Sequence, residues 1–331
     1  MTQARKQADS QRAPHGRLLE ADAGQFRNNF NVRSFMFRHN MCGHPLFQLP
    51  RLATLAEEMV QRGDMKQFVA LGGKESTVVT KFTAMPQERR LADTVRGLQD
   101  SSSWLKISSA DVADPEYGAF LQEVLGEIEA LSGVMLRREI TWSALTIFLA
   151  SPHVVTPYHI DHESNFLFQI NGAKQVSLFD PNDRNLLPED QIESFYSGNF
   201  QAAQYREEFQ SRGTEYPLAP GMVVHNPPLG PHWVQNGTDV SVSVSIGFCM
   251  RSLDLRARVY QVNHYLRKAG LGPTPPGRSV LSDRLKIAGI GLVSKSNPTT
   301  PDEILFSGLS RLSGPPRMVK RWIHSLRGAR A

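Results

Sequence analysis

The alternation of apolar and polar positions is clearest between Ile140 and Ile246. Ile140 to Ala150 (ITWSALTIFLA) reads as a buried strand, and Phe166 to Ile170 and Ala173 to Phe179 form two more on either side of Asn171-Gly172. Further on, Val240, Val242 and Val244 interleave with Ser241, Ser243 and Ser245, a period of two that gives one greasy and one wet face. Phe68 to Leu71 and Trp104 to Ile107 read as shorter strands. Helical spacing predicts helices over 51–61 (Leu52, Leu55, Ala56, Met59), 86–98 and 114–131 (Phe120, Val124, Ile128, Leu131), with Gly63-Asp64 and Gly133 as stops. Gly72-Gly73 turns the chain after the first short strand. Another helix spans 251–268, with Leu255, Val259, Val262 and Leu266 on one stripe, and shorter ones are expected over 281–292, 301–312 and 318–326. Residues 17–49 mix Phe26, Phe30, Phe35, Phe37 and Phe47 with Arg and Asn in no clean period, so an irregular lead-in packed on the core is expected. Residues 1–16 are polar and aperiodic, the composition of a disordered terminus.

Two Asn-Gly pairs set the expected registers. Asn171-Gly172 suits a type I′ hairpin, which needs positive φ at both central positions. Ile170 then pairs with Ala173 and Gln169 with Lys174, so Lys174 shares a face with Asn165 and Leu167. If the extended run continues back, that face also carries His159 and Asp161. Asn236-Gly237 reads as a second tight turn, with Gln235 opposite Thr238 and His232 opposite Ser241. His232 thereby joins the wet row of Val234, Ser241, Ser243 and Ser245. Between these regions, 188–213 is an insertion in which Phe195, Tyr196, Phe200 and Tyr205 recur. Such aromatics either select substrate at a mouth or pack the insertion onto its scaffold.

Composition narrows the class. The 331 residues are 40% hydrophobic and 21% charged, ordinary for a globular chain, and no apolar run has the length of a membrane span. The first ten residues carry no apolar leader segment, so a cytoplasmic protein is expected. Two cysteines, Cys42 and Cys249, make no disulfide framework and are expected to be inert thiols. Of the net charge of +5, six basic residues and no acid lie in 311–331, which leaves the rest of the chain at −1. That near-neutral remainder gives no general case for nucleic-acid binding, and only the tail invites a polyanion.

The candidate chemistry lies in His159-Ile-Asp161, the only His-x-Asp/Glu triplet in the chain. Residues i and i+2 of an extended segment project to one face, so an imidazole and a carboxylate converge. They are two parts of the 2-His-1-carboxylate facial triad that holds Fe(II) with open positions. A lysine a short way from such a pair, here Lys174, can bind the far carboxylate of a small dicarboxylic acid whose other end chelates the metal. For the third ligand, His232 is preferred to His225, which precedes Asn226-Pro227-Pro228, where prolines interrupt a strand ladder. His153, just before the site, reads as a surface histidine or a substrate contact.

Together Thr156-Pro-Tyr-His159-Ile-Asp161, Asn165, the turn before Lys174, Leu178-Phe-Asp-Pro181, Pro220-Gly221 and Pro227 followed five residues on by His232 form a pattern. It resembles the JmjC and cupin-like Fe(II)- and 2-oxoglutarate-dependent oxygenases, nearest to the factor-inhibiting asparaginyl hydroxylase group. The resemblance implies a mainly β fold, a double-stranded β-helix (jelly-roll, cupin) core with helical N-terminal and C-terminal additions. It implies a catalytic domain over 17–250 and a helical extension with a basic tail over 251–331, through which related oxygenases form homodimers. It assigns iron to His159, Asp161 and His232, the distal carboxylate of 2-oxoglutarate to Thr156 and Lys174, and the lining of that pocket to Asn165. On the strand at 104–107, Trp104 or Lys106 falls near where the family has a co-substrate-binding aromatic. Hydroxylation of a protein or peptide side chain or a small molecule, with release of succinate and carbon dioxide, is the implied activity. A cupin-like binding or regulatory protein without turnover is the alternative. Gly221-Met222 replaces a Gly-Asp common in the family, and Gly230-Pro231 replaces aromatics before the distal histidine; both departures bear on the shape of that loop.

Overall fold

Two antiparallel sheets face one another, and between residues 140 and 250 the chain changes sheet at almost every connection. The computed structural model describes residues 16–62, 68–71, 77–79, 97–99 and 104–292. Expectations for 1–15, for both glycine turns near 63 and 72, for most of the helix over 86–98, and for everything beyond 292 lie outside the described residues. The strands are β1 (Leu19–Glu20), β2 (Phe35–His39), β3 (Phe68–Leu71), β4 (Trp104–Ile107), β5 (Ile140–Ala150) and β6 (Val155–His159). They continue with β7 (Ser164–Asn171), β8 (Lys174–Leu178), β9 (Thr214–Leu218), β10 (Met222–Asn226), β11 (His232–Asn236) and β12 (Ser241–Met250). The larger sheet runs β1-β2-β10-β7-β12-β5-β4-β3 and the smaller β6-β11-β8-β9. From β5 to β12 the chain visits large, small, large, small, small, large, small and large sheet in turn. That is the double-stranded β-helix expected for the core.

This weave overturns both expected hairpins. β7 pairs with β10 and β12, and β8 with β11 and β9, so Gln169 does not lie beside Lys174. Likewise β11 pairs with β6 and β8 while β12 pairs with β5 and β7, so His232 does not oppose Ser241. Each Asn-Gly pair is a corner between sheets. Gly172 does adopt positive φ, at 68°, but the decisive constraint is distant in sequence. A Cβ there would lie 2.6 Å from the Val240 carbonyl oxygen, and one on Gly237 would lie 3.0 Å from the Ala173 oxygen. The Gly237 N–H donates to that same Ala173 oxygen at 2.8 Å, so the two corners pack on each other.

Outside the barrel, the large sheet presents Phe166, Phe168 and Ile170 of β7 and Val242, Val244, Ile246 and Phe248 of β12 to the main core. Helix α1 (Ala23–Asn29) and helix α2 (Leu49–Gln61) cover it together with α3 (Pro115–Ser132). Asp114 caps α3 by accepting from the Glu116 N–H, and Gly133 ends it at φ 72°, as the sequence signals require. The lead-in is less irregular than expected: α1 is capped by Asp22, and β2 pairs with β10. Phe26 stacks on Phe166 with centroids 5.8 Å apart and meets Phe35 edge-on at 5.1 Å.

α4 (Glu189–Phe195) lies in the insertion between β8 and β9, and after the barrel come α5 (Arg251–Lys268) and α6 (Val280–Gly291). α5 does not bury the expected stripe. It buries Ala257, Val259, Tyr260, Gln261 and Asn263, and leaves Leu255 40% exposed. Its packing is partly polar: Arg267 of α5 donates twice to the buried Glu193 carboxylate of α4, at 2.7 and 2.9 Å. Among the described residues no helix is long and apolar enough to cross a membrane.

Candidate metal centre

β6 and β11 are neighbours, and their register puts His159 directly opposite His232. Paired residues of adjacent strands project to the same face. The two imidazoles therefore meet, with centroids 4.0 Å apart, and Asp161 enters from just beyond the end of β6. Its Oδ2 lies 3.9 Å from His159 Nε2 and 3.5 Å from His232 Nε2. All three ligand atoms fall within 4.8 Å of one another.

The histidines are aimed from behind. His159 Nδ1 donates to the Pro157 carbonyl at 2.7 Å and His232 Nδ1 to the Gly230 carbonyl at 3.0 Å, which fixes the tautomer that turns a lone pair on Nε2 toward Asp161. Burial lowers both imidazoles to about 4, so both are neutral at pH 7 and able to ligate. The backbone of the acidic residue is tied as well, since the Leu229 N–H donates to the Asp161 carbonyl at 2.8 Å. Two neutral imidazoles and one carboxylate, on bonds of about 2.1 Å at right angles, stand about 3 Å apart around a shared divalent ion. The observed separations are slightly wider and fit that donor set.

Thr156 and Lys174 lie on the same face of the small sheet. Val234 opposes both Thr156 and Val176, and Asn236 opposes Lys174. A bulge between His232 and Val234 lets Thr156 and His159, three positions apart, face one way. Lys174 sits four residues along from His232, about 13 Å at strand spacing, a gap that its own side chain halves. It is 7% exposed, and burial alone lowers its ammonium to about 7. Among the described residues no carboxylate lies against it.

Asn165 is not beside Lys174 but across the barrel from it. With Leu167 it faces inward from the large sheet, where its amide donates to Ser245 Oγ at 2.8 Å. The serine row is the wet interior face that its alternation predicts, but it belongs to β12 and not to the strand of His232. Gln169 satisfies the rest of the row by donating to Ser241 Oγ at 3.0 Å and accepting from Ser243 at 2.8 Å. His225 points the other way, into the phenylalanine core, stacked on Phe166 at 4.4 Å, with Nε2 accepting from the Asn31 N–H. It cannot reach the centre. His153 is exposed in the turn between β5 and β6, at the end of β6 remote from His159.

Residues that sequence reasoning missed also line this pocket. Glu163 lies against Gly247, and its carboxyl is pushed up to about 7 by burial and then by the charge of Asp161. Asn226 brings its amide within 3.1 Å of His232 Nδ1. Lys106, already placed near the site by its strand, opposes Phe148 with Nζ 6.0 Å from the ring centre. A lone lysine between Leu105 and Ile107, both fully buried in the main core, was its available signal. Three of the insertion's aromatics serve packing: Phe195, Tyr196 and Tyr205 join Tyr158, Phe179 and Trp233 on the outer face of the small sheet, while Phe200 stays exposed.

A family model described as "Cupin-like domain" matches residues 22–254. No curated protein matches the chain. Among solved structures, the X-ray structure of E. coli ycfD superposes with a TM-score of 0.50 at 14% identity, covering 86% of this chain and 70% of that one. YcfD, a ribosomal oxygenase from Escherichia coli, in complex with cobalt and 2-oxoglutarate gives 0.48 at 14% identity, over 92% and 70%. At such identity the first likeness speaks for a shared fold.

Proposed function

The chain belongs to the cupin-like domain family, and from that premise we propose that it is an Fe(II)- and 2-oxoglutarate-dependent dioxygenase that hydroxylates a C–H bond of a protein side chain or small molecule. The observation that carries the reading is the meeting of His159, His232 and Asp161 at one end of a sheet face whose other end holds the buried Lys174, against which no carboxylate of the described residues lies.

In this reading the three side chains hold iron on one face, with their Nδ1–carbonyl bonds keeping each Nε2 aimed. Lys174 and Thr156 take the distal carboxylate of 2-oxoglutarate, and Asn165 lines the same pocket from the opposite sheet. When bound, iron and 2-oxoglutarate supply the oxidising chemistry, with succinate and carbon dioxide as co-products. The chain supplies orientation and an apolar patch between the two ends, formed by Leu167, Val176, Val224 and Val234.

The test is incubation of the purified protein with Fe(II), 2-oxoglutarate, air, candidate peptides and cell extract. We expect succinate formation and a product heavier by one oxygen atom, both lost in His159→Ala. Succinate formation that survives His159→Ala contradicts the assignment.

A further inference from the structure

The residue after Asp161 points out of the barrel and is more deeply buried than the ligands themselves. The His162 side chain is 1% exposed, against 30% for Asp161. Its Nε2 lies 3.2 Å from Asp254 Oδ1 in the first turn of α5, and its Nδ1 lies 2.8 Å from the Tyr196 hydroxyl at the end of α4. An aspartate carboxylate only accepts, so Nε2 carries the hydrogen. Nδ1 is then an acceptor, and Tyr196 donates to it. The chain Tyr196 to His162 to Asp254 thus has one direction and leaves neither ring nitrogen unused. Tyr196 is itself held by stacking on Tyr260 of α5, at 5.6 Å and 14°.

Cys249 Sγ lies close enough to make His162, Cys249 and Asp254 a conceivable second metal cluster, with ligand atoms within 4.8 Å of one another. The hydrogen bonds argue otherwise. A metal on Nε2 would break the bond to Asp254, and the thiol, fully buried, resists the ionisation that ligation requires.

We propose that His162 is a positioning residue: anchored between Tyr196 and Asp254, it fixes the loop that carries Asp161, so that the carboxylate meets His159 and His232. The Leu229 N–H holds that loop on the barrel side, and His162 holds it on the outer side. Metal retention is thereby tied to the insertion and to α5, neither of which contributes a ligand. The inference rests on the metal-site reading above.

The test is a cobalt(II) titration of the full-length, metal-free protein, followed by visible d–d absorption, for wild type, Tyr196→Phe, Asp254→Ala, Asp254→Asn and His162→Ala. Tyr196→Phe removes a single oxygen atom and keeps the test alive if His162→Ala fails to fold. Partners bonded directly to a metal ligand are worth about 10- to 100-fold in metal affinity. Tyr196 and Asp254 act one residue further out, through His162, and we expect Tyr196→Phe and Asp254→Ala to weaken cobalt binding near the lower end of that range, about tenfold. Asp254→Asn keeps an acceptor oxygen and should restore binding to within about threefold of wild type. The 2-oxoglutarate affinity at saturating cobalt should stay unchanged throughout, because Lys174 lies elsewhere. Variants that fold and bind cobalt like wild type, while only their unfolding temperature falls, overturn the inference. So does a second bound metal lost in Cys249→Ala or His162→Ala. If wild type itself binds no cobalt, the metal-site reading falls, and this inference falls with it.

Discussion

Lys174 carries an ammonium into a place where water is scarce and no carboxylate of the described residues answers it. Burial of an unpaired charge is expensive unless the group gives up its proton or gains a partner. In the proposed function an incoming dicarboxylate would provide that partner. With the free ammonium at about 7, the sign of the pH effect follows. Below pH 7 the lysine is already charged and affinity for 2-oxoglutarate is flat. Above it, binding must recharge the lysine by taking up a proton, so affinity falls by up to about tenfold per pH unit until the ligand-bound value is passed. Calorimetry from pH 6 to 9 checks this, and a flat profile contradicts it. Losing a charge-assisted bond costs about 1.5–3 kcal/mol, so Lys174→Ala should weaken 2-oxoglutarate about 10- to 150-fold. Lys174 and its nearness in sequence to the His-x-Asp triplet were legible, although the hairpin expected to join them does not form. Its neighbours were not: Asn165 was expected beside it and stands across the barrel. Of the two candidates the structure brings His232, not His225, to His159 and Asp161, although the prolines are not the reason. Strand alternation turns His225 into the phenylalanine core while Val224 faces the barrel interior.

The two Asn-Gly corners mark where local reading ends. The pair signals a backbone able to take positive φ, and Gly172 does so. Whether the strands on either side then pair, or part for opposite sheets, depends on β10, β11 and β12, tens of residues away. For the same reason the elements of the lead-in were missed. α1 has 7 residues and β2 has 5, too few periods to stand out among arginines and asparagines. Longer elements were read almost to the residue, including β5, α3 and α5, although the face that α5 buries was not. Gly172→Ala should expose the corner's constraint, since a methyl group would meet the Val240 oxygen at 2.6 Å on a left-handed backbone. Strain of this kind costs about 1–3 kcal/mol. Gly43→Ala, with nothing within 4 Å, should stay within about 0.5 kcal/mol of wild type. Equal denaturation midpoints for the two variants would contradict the packed-corner account.

Across the whole molecule, the ligands come from strands that are adjacent in space and distant in sequence: His232 follows Asp161 by 71 positions. Only the weave of two sheets brings β6 beside β11, and only the barrel's interior gives metal and lysine a common dry face. The centre is open mainly at Asp161, whose side chain is the most exposed of the three. In the proposed reading one co-substrate molecule joins the two ends of that face, chelating the metal held at the histidines and anchoring at Lys174. Anaerobic addition of Fe(II) and then 2-oxoglutarate, read by visible absorption, tests this most directly. Wild type should develop the weak charge-transfer band of the iron–2-oxoglutarate chelate, and His159→Ala and Asp161→Ala should not. Absence of the band in wild type, or its persistence in either variant, would contradict the assignment of these three residues and the function built on them.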